Sequence, residues 1–246
     1  MTVPGSTTAI PLDPLTTVLV LADGSVHSRG TLLSGQDGEQ ELLSEAWLFP
    51  REQATNLQRP VRVSIGRPSG SVEKCLLSAD GSTAAVAAHP PVAVLDPPDP
   101  RWDDGMPQHR AMLETARAAE RASDWAAAQV AAERLAVHVH NDLGDQHPHT
   151  VLARELQGHF AVRARDWASA ARLHTSAAAG RNRLLAPTEA TARTLKNAVF
   201  AWMQAPVDKD LTETGYTLAH LLVRVAPGSP GPIAAVLSRL GSTGTP

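Results

Sequence analysis

The spacing of apolar positions changes near residue 100. Before it, apolar residues come in short runs broken by turn dipeptides. Thr16 to Ala22 is β-branched and apolar, Asp23-Gly24 is a tight-turn pair, and Ser25 to Leu33 returns as a second strand. Gly35 to Gly38 reads as a loop. Glu39 to Leu48 has Leu42, Leu43, Ala46 and Trp47 on one helical face, and Pro50 is expected to end that helix. Val61 to Ile65 alternates cleanly as a strand, and Arg67 to Ser71 is a turn. Val72 to Ser78 and Thr83 to Ala88 flank a second turn at Asp80-Gly81, and Val92 to Leu95 reads as one more strand. Short strands with frequent turns predict a small antiparallel sheet or barrel over 14–95, behind a Pro-, Thr- and Ser-rich arm at 1–13.

Past a stiff Pro-rich linker at 96–106 the spacing becomes helical. Pro148 to Arg165 predicts a helix, with Val151, Leu152, Leu156, Phe160, Ala161 and Ala164 spaced for one. The chain also repeats itself. Arg121-Ala122-Ser123-Asp124-Trp125-Ala126-Ala127-Ala128 returns 42 residues later as Arg163-Ala164-Arg165-Asp166-Trp167-Ala168-Ser169-Ala170. Seven of ten positions are identical between 119–128 and 161–170, which marks a stacked array of helical pairs. Asp124 and Asp166 are placed to cap the second helix of each pair, and the following Trp fills the corner. A third turn is expected at Asp208, without its Trp. Pro227 to Pro232 breaks the pattern, Ile233 to Leu240 reads as a short helix closing the end of the stack, and 241–246 is a tail. The fold class is therefore α+β, with a small antiparallel β-rich N-terminal domain followed by an all-α helical-hairpin array over 107–226.

The array resembles the tetratricopeptide repeat family, and its 42-residue period resembles the kinesin-light-chain-like subtype. The resemblance rests on Gly144-Asp145-Gln146-His147-Pro148-His149-Thr150, similar to that subtype's G-x-x-H-P-x-T opening, on Leu156-Gln157-Gly158, and on the Asp-Trp-x-x-Ala turns. It covers a little under half of the chain and nothing before residue 100. The resemblance implies that the first helix of each pair lines a concave face. That face would hold Arg110, Leu113, Arg117, Glu120 and Arg121 from the first pair. Leu152, Glu155, His159, Val162 and Arg163 come from the second, and Thr194, Asn197, Ala201 and Gln204 from the third. Arg117 and Arg121 share a face, and arginine forks suit carboxylates. In this family an amide placed like that of Asn197 holds a ligand's backbone. Against this stands a plain solvated face with local Glu–Arg pairs, such as Glu114 with Arg117.

Net charge is −3, split as −5 over residues 1–100 and +2 over 101–246, so no global field argues for nucleic acid or membrane. The basic residues over 154–196 come without a helix-turn-helix or stacking aromatics, which argues against nucleic acid. One cysteine excludes an internal disulfide, and Cys75 has no catalytic flank. No leader or membrane-length apolar run is evident, so a cytoplasmic protein is expected. Arg outnumbers Lys 19 to 3 in an Ala-rich chain, which suggests a GC-rich, actinobacterial-like bacterial genome. Eight of ten histidines lie at or beyond His109. His138 and His140 diverge around a helix, and His147 belongs to the opening motif, so no metal is assigned. Ile65-Gly66-Arg67-Pro68-Ser69 is similar to the Gly-Arg element of forkhead-associated domains, but the later Ser-x-x-His piece is missing. Phosphate-loop motifs are absent, and no carboxylate pair carries acid–base roles, so no catalytic residue or cofactor is expected.

The expected function is non-enzymatic: an adaptor or regulator that binds an acidic peptide or protein segment, with Arg110, Arg117, Arg121, Glu155, His159, Arg163 and Asn197 as its groove. A small-molecule or signal-peptide module is the alternative, and an accessory protein or enzyme of a bacterial biosynthetic pathway the second. Three repeats are the minimum for a stable stack, so a homodimer is also expected.

Overall fold

The computed structural model describes residues 15–34, 38–86, 99–206 and 208–243. The arm at 1–13 and the strand expected at 92–95 lie outside the described residues.

The N-terminal part is a six-stranded sheet in the order β3-β2-β1-β4-β5-β6. Its strands are β1 (Leu15–Val20), β2 (Val26–Ser28), β3 (Thr31–Leu33), β4 (Val61–Gly66), β5 (Val72–Leu77) and β6 (Thr83–Ala85). All neighbours are antiparallel except the central pair β1 and β4, which run parallel. The parallel centre follows from the connection. Two helices, α1 (Glu39–Ala46) and α2 (Leu48–Leu57), carry the chain across one face before β4. The expected second strand is two strands, because Arg29 and Gly30 both take positive φ and fold a two-residue turn between β2 and β3.

Pro50 does not end a helix as expected; it stands in the first turn of α2. The backbone N–H that proline lacks has no intrahelical partner there in any case. The sheet alternates with period two. Val18, Val20, Val61, Val63 and Ile65 face Leu42, Ala46 and Ala54 of α1 and α2.

The helical part begins at α3 (Arg110–Arg121) and α4 (Trp125–Leu143). It continues through α5 (Pro148–Arg163), α6 (Trp167–Arg183), α7 (Thr188–Gln204), α8 (Lys209–Val225) and α9 (Pro230–Thr243). The first two intra-pair turns are superimposable in their backbone bonding. Ser123 and Arg165 take φ of 58° and 61°. The next N–H, of Asp124 or Asp166, reaches back to the carbonyl of Ala119 or Ala161 at 3.0 and 2.9 Å. Each aspartate then accepts from the N–H three residues on, Ala127 or Ser169, as an N-cap. Phe160 and Trp202, again 42 apart, are both fully buried.

The third turn keeps only half of this. Asp208 caps α8 through the Leu211 N–H at 2.8 Å. Pro206 occupies the place of Ala164 and has no N–H to close the earlier helix. Arg239 of α9 bonds the carbonyls of Trp202 and Ala205 instead, with its guanidinium over the Trp202 ring.

Sheet and array share a core. Leu19 of β1 and Leu21 just after it pack with Leu218, Leu222 and Val223 of α8 and Ile233, Val236 and Leu237 of α9. Gly66 permits this approach, since a Cβ there would stand 2.6 Å from Val223. Residues 99–106, read as a linker, include a 3-10 turn at Pro100–Trp102 and bury both Trp102 and Met106. Two large apolar side chains so close to the array find more burial against Val151, Ala177 and Leu113 than in solvent.

Candidate functional site

The first helices of successive pairs are linked by side-chain contacts. His159 of α5 meets Glu120 of α3 at 3.0 Å, and the Thr194 hydroxyl of α7 donates to Glu155 of α5 at 2.7 Å. Both contacts span 39 residues, so the same face recurs from pair to pair. On it, Arg110, Arg117, Arg121, His159, Asn197 and Gln204 are exposed. Arg117 sits 2.9 Å and Arg121 3.8 Å from the same carboxylate, Glu114, which leaves two guanidiniums to one acid. Asn197 has no side-chain hydrogen bond among the described residues.

Other residues expected on this face are buried or held by contacts within the fold. Leu113, Thr194 and Ala201 are buried. Glu155 is tied to Arg181 at 2.6 Å and to Thr194, and Arg181, itself 7% exposed, also lies 4.9 Å from the centre of the Trp102 ring. A nearly buried guanidinium needs that carboxylate, so Glu155 is a structural partner rather than a free ligand group. Arg163 covers the Trp125 ring at 4.4 Å, shielding the half-buried indole behind the first turn.

A second cluster gathers at the α3 end of the array. His109, in the 3-10 turn before α3, is 5% exposed and points Nε2 at Asp142 of α4, 3.2 Å away. His138, one turn before Asp142 on the same helix, approaches the same carboxylate oxygen at 3.4 Å. His140 turns away to Asp145 at 3.3 Å. Beside them His147 caps α5, accepting from the His149 N–H, and Thr150 donates to the Gly144 carbonyl. This bonding explains why Gly, His, Pro and Thr stand at those spacings. His149, buried, meets Asp104 at 2.7 Å.

A third site lies where α8 meets the sheet. His27 of β2 stacks on Tyr216 at 3.9 Å, and its Nδ1 lies 2.9 Å from His220 Nε2. Burial lowers both pKa values to about 4, with the charge on His27 adding to the effect at His220. His220 also lines a cleft of about 320 Å³ with Thr16, Arg29, Phe49 and Gln53. Cys75 is buried in β5, and burial together with Glu73 pushes its thiol pKa up, which suits packing rather than nucleophilic attack.

No family model, curated protein or solved structure matches this chain. The exposed face of α3, α5 and α7 offers cations and a free amide, which suit carboxylates and peptide backbone. The α3-end cluster offers two imidazoles and a carboxylate. The His27–His220 pair offers a hydrogen bond that survives only while at least one ring keeps a lone pair.

His109 and His220 were not legible as site residues from the sequence. Only the i,i+4 spacing of His138 and Asp142 was open to inspection, and it says nothing of the residue that folds over them. Among the described residues no helix is long and apolar enough to cross a membrane.

Proposed function

We propose that the protein is a non-enzymatic, tetratricopeptide-like binding protein that holds an acidic segment of a partner along α3, α5 and α7. The observation that carries this reading is the pair of contacts 39 residues apart that align these helices, with Arg110, Arg117, Arg121 and Asn197 left exposed on them. Two arginines sharing one glutamate have donors to spare for an incoming carboxylate. The amide of Asn197 has both a donor and an acceptor for extended backbone.

The test is charge reversal at Arg110, Arg117 and Arg121 together. Arg163 is left in place because it covers Trp125. At roughly 0.2–1 kcal/mol for each exposed pair, losing three weakens partner affinity about 3- to 150-fold, and the loss shrinks at high salt. Affinity unchanged by calorimetric titration, with the helical signal intact, overturns the reading.

The cleft of about 320 Å³ beside His220 supports a second reading, a small-molecule module. A polar ligand seated there raises the melting temperature of the chain, and His220→Ala removes that rise.

A further inference from the structure

The geometry points to a divalent transition-metal site, of the zinc class, formed by His109, His138 and Asp142 at the α3 end of the array. The three ligand atoms all lie within 4.8 Å of one another. Two of the separations, 3.2 and 3.4 Å, run from the imidazole nitrogens to one carboxylate oxygen. With metal–ligand bonds of about 2.0–2.1 Å, the donor atoms of a tetrahedral site stand about 3.3 Å apart. Two edges of the ligand triangle are thus already set, and the third closes by rotation of the half-exposed His138 side chain.

The local fold supplies the arrangement. His138 and Asp142 are one turn apart on α4, so both project from the same side. His109 is fixed by the 3-10 turn at Pro107–His109, whose N–H bonds the Met106 carbonyl at 3.0 Å, and by its own burial. One ligand is therefore rigid and two are adjustable. The donor set, two imidazoles with one carboxylate, suits Zn²⁺, Fe²⁺, Co²⁺ or Ni²⁺ rather than Ca²⁺ or Mg²⁺. Three protein ligands leave at least one coordination position for water or an incoming group. The bond would join the entry of α3 to the last turns of α4, in the first pair of the array.

The test uses the full chain freed of metal and titrated with Zn²⁺ by calorimetry, and with Co²⁺ by visible absorption. One equivalent binds, the Co²⁺ form develops the intense visible bands of low coordination number, and the melting temperature rises with free metal. His138→Ala and Asp142→Asn, both at half-exposed side chains, each weaken Zn²⁺ binding at least tenfold while leaving the metal-free helical signal unchanged. His140→Ala, on the neighbouring face, leaves binding as it was. Wild-type protein that takes up no stoichiometric metal overturns the assignment. So do His138→Ala and Asp142→Asn variants that bind as the wild type does, or a loss in His140→Ala as large as theirs.

Discussion

Acid is expected to loosen the junction of sheet and array before it reaches the rest of the fold, through His27 and His220. Their rings are hydrogen bonded at 2.9 Å, and both pKa values are lowered from 6.5 to about 4, first by burial. The folded state therefore holds fewer protons than the unfolded one between these values. Stability is full above pH 6.5, falls as pH drops, and levels off below about 4. At about 1.4 kcal/mol per pH unit, the full displacement is worth about 3 kcal/mol per ring as an upper bound. Solvent reaching the pair through the adjoining cleft reduces this, and roughly 3 kcal/mol for the two together is the working figure. Against a typical 5–15 kcal/mol for a whole fold, that is a large fraction. The assay is urea unfolding at half-unit steps from pH 7.5 to 4, comparing the wild type with His27→Gln/His220→Gln. The double variant starts less stable because stacking on Tyr216 is lost, but its stability declines less steeply between pH 6.5 and 4. Equal slopes in the two proteins would exclude His27 and His220 as the source of the acid sensitivity.

Three further outcomes follow from the same contacts. Glu155→Ala leaves Arg181 buried without its carboxylate and costs about 3–5 kcal/mol in denaturant unfolding, whereas Arg117→Ala on the exposed face changes stability by less than about 1 kcal/mol. Gly215→Ala places a Cβ 2.5 Å from the Trp202 ring and lowers the melting temperature, at a cost of about 1–3 kcal/mol. Asp166→Ala removes the cap on α6 and costs about 1 kcal/mol, a value that Asp166→Asn largely restores.

The array was legible because its signals are local and repeated. Asp124, Asp166 and Asp208 cap the helices they precede, and a 42-residue ruler laid on the chain finds all of them. Most strands of the sheet were legible, since Asp-Gly turns and period-two alternation are short-range, but the Arg29-Gly30 turn that divides Ser25 to Leu33 into two strands was not. The sheet's central pairing was not either: β1 and β4 meet in parallel through two helices, and Pro50 reads as a stop although it stands inside a first turn. The layering of α8 and α9 on the sheet was hidden for the same reason, because Gly66 and Gly241 show their purpose only when Val223 and Ala22 are brought against them.

The candidate sites divide along the same line. Exposed arginines at helical spacing can be listed from the chain, and Arg110, Arg117 and Arg121 remain on the surface. Glu155 and Arg163 have the same spacing, but Arg181 of α6 ties up the carboxylate of the half-buried Glu155, and the exposed Arg163 lies over the Trp125 ring of the preceding pair. Which charged residue is free depends on tertiary neighbours that spacing alone does not name.

The most direct measurement is site-specific photocrosslinking to the native partner, with the reactive group placed in turn at Arg117, at Asn197 and at Arg172 on α6. One acidic segment is expected to crosslink from both Arg117 and Asn197, with little or none from Arg172. A partner crosslinked equally from Arg172, or from neither position on the face of α3, α5 and α7, would contradict it.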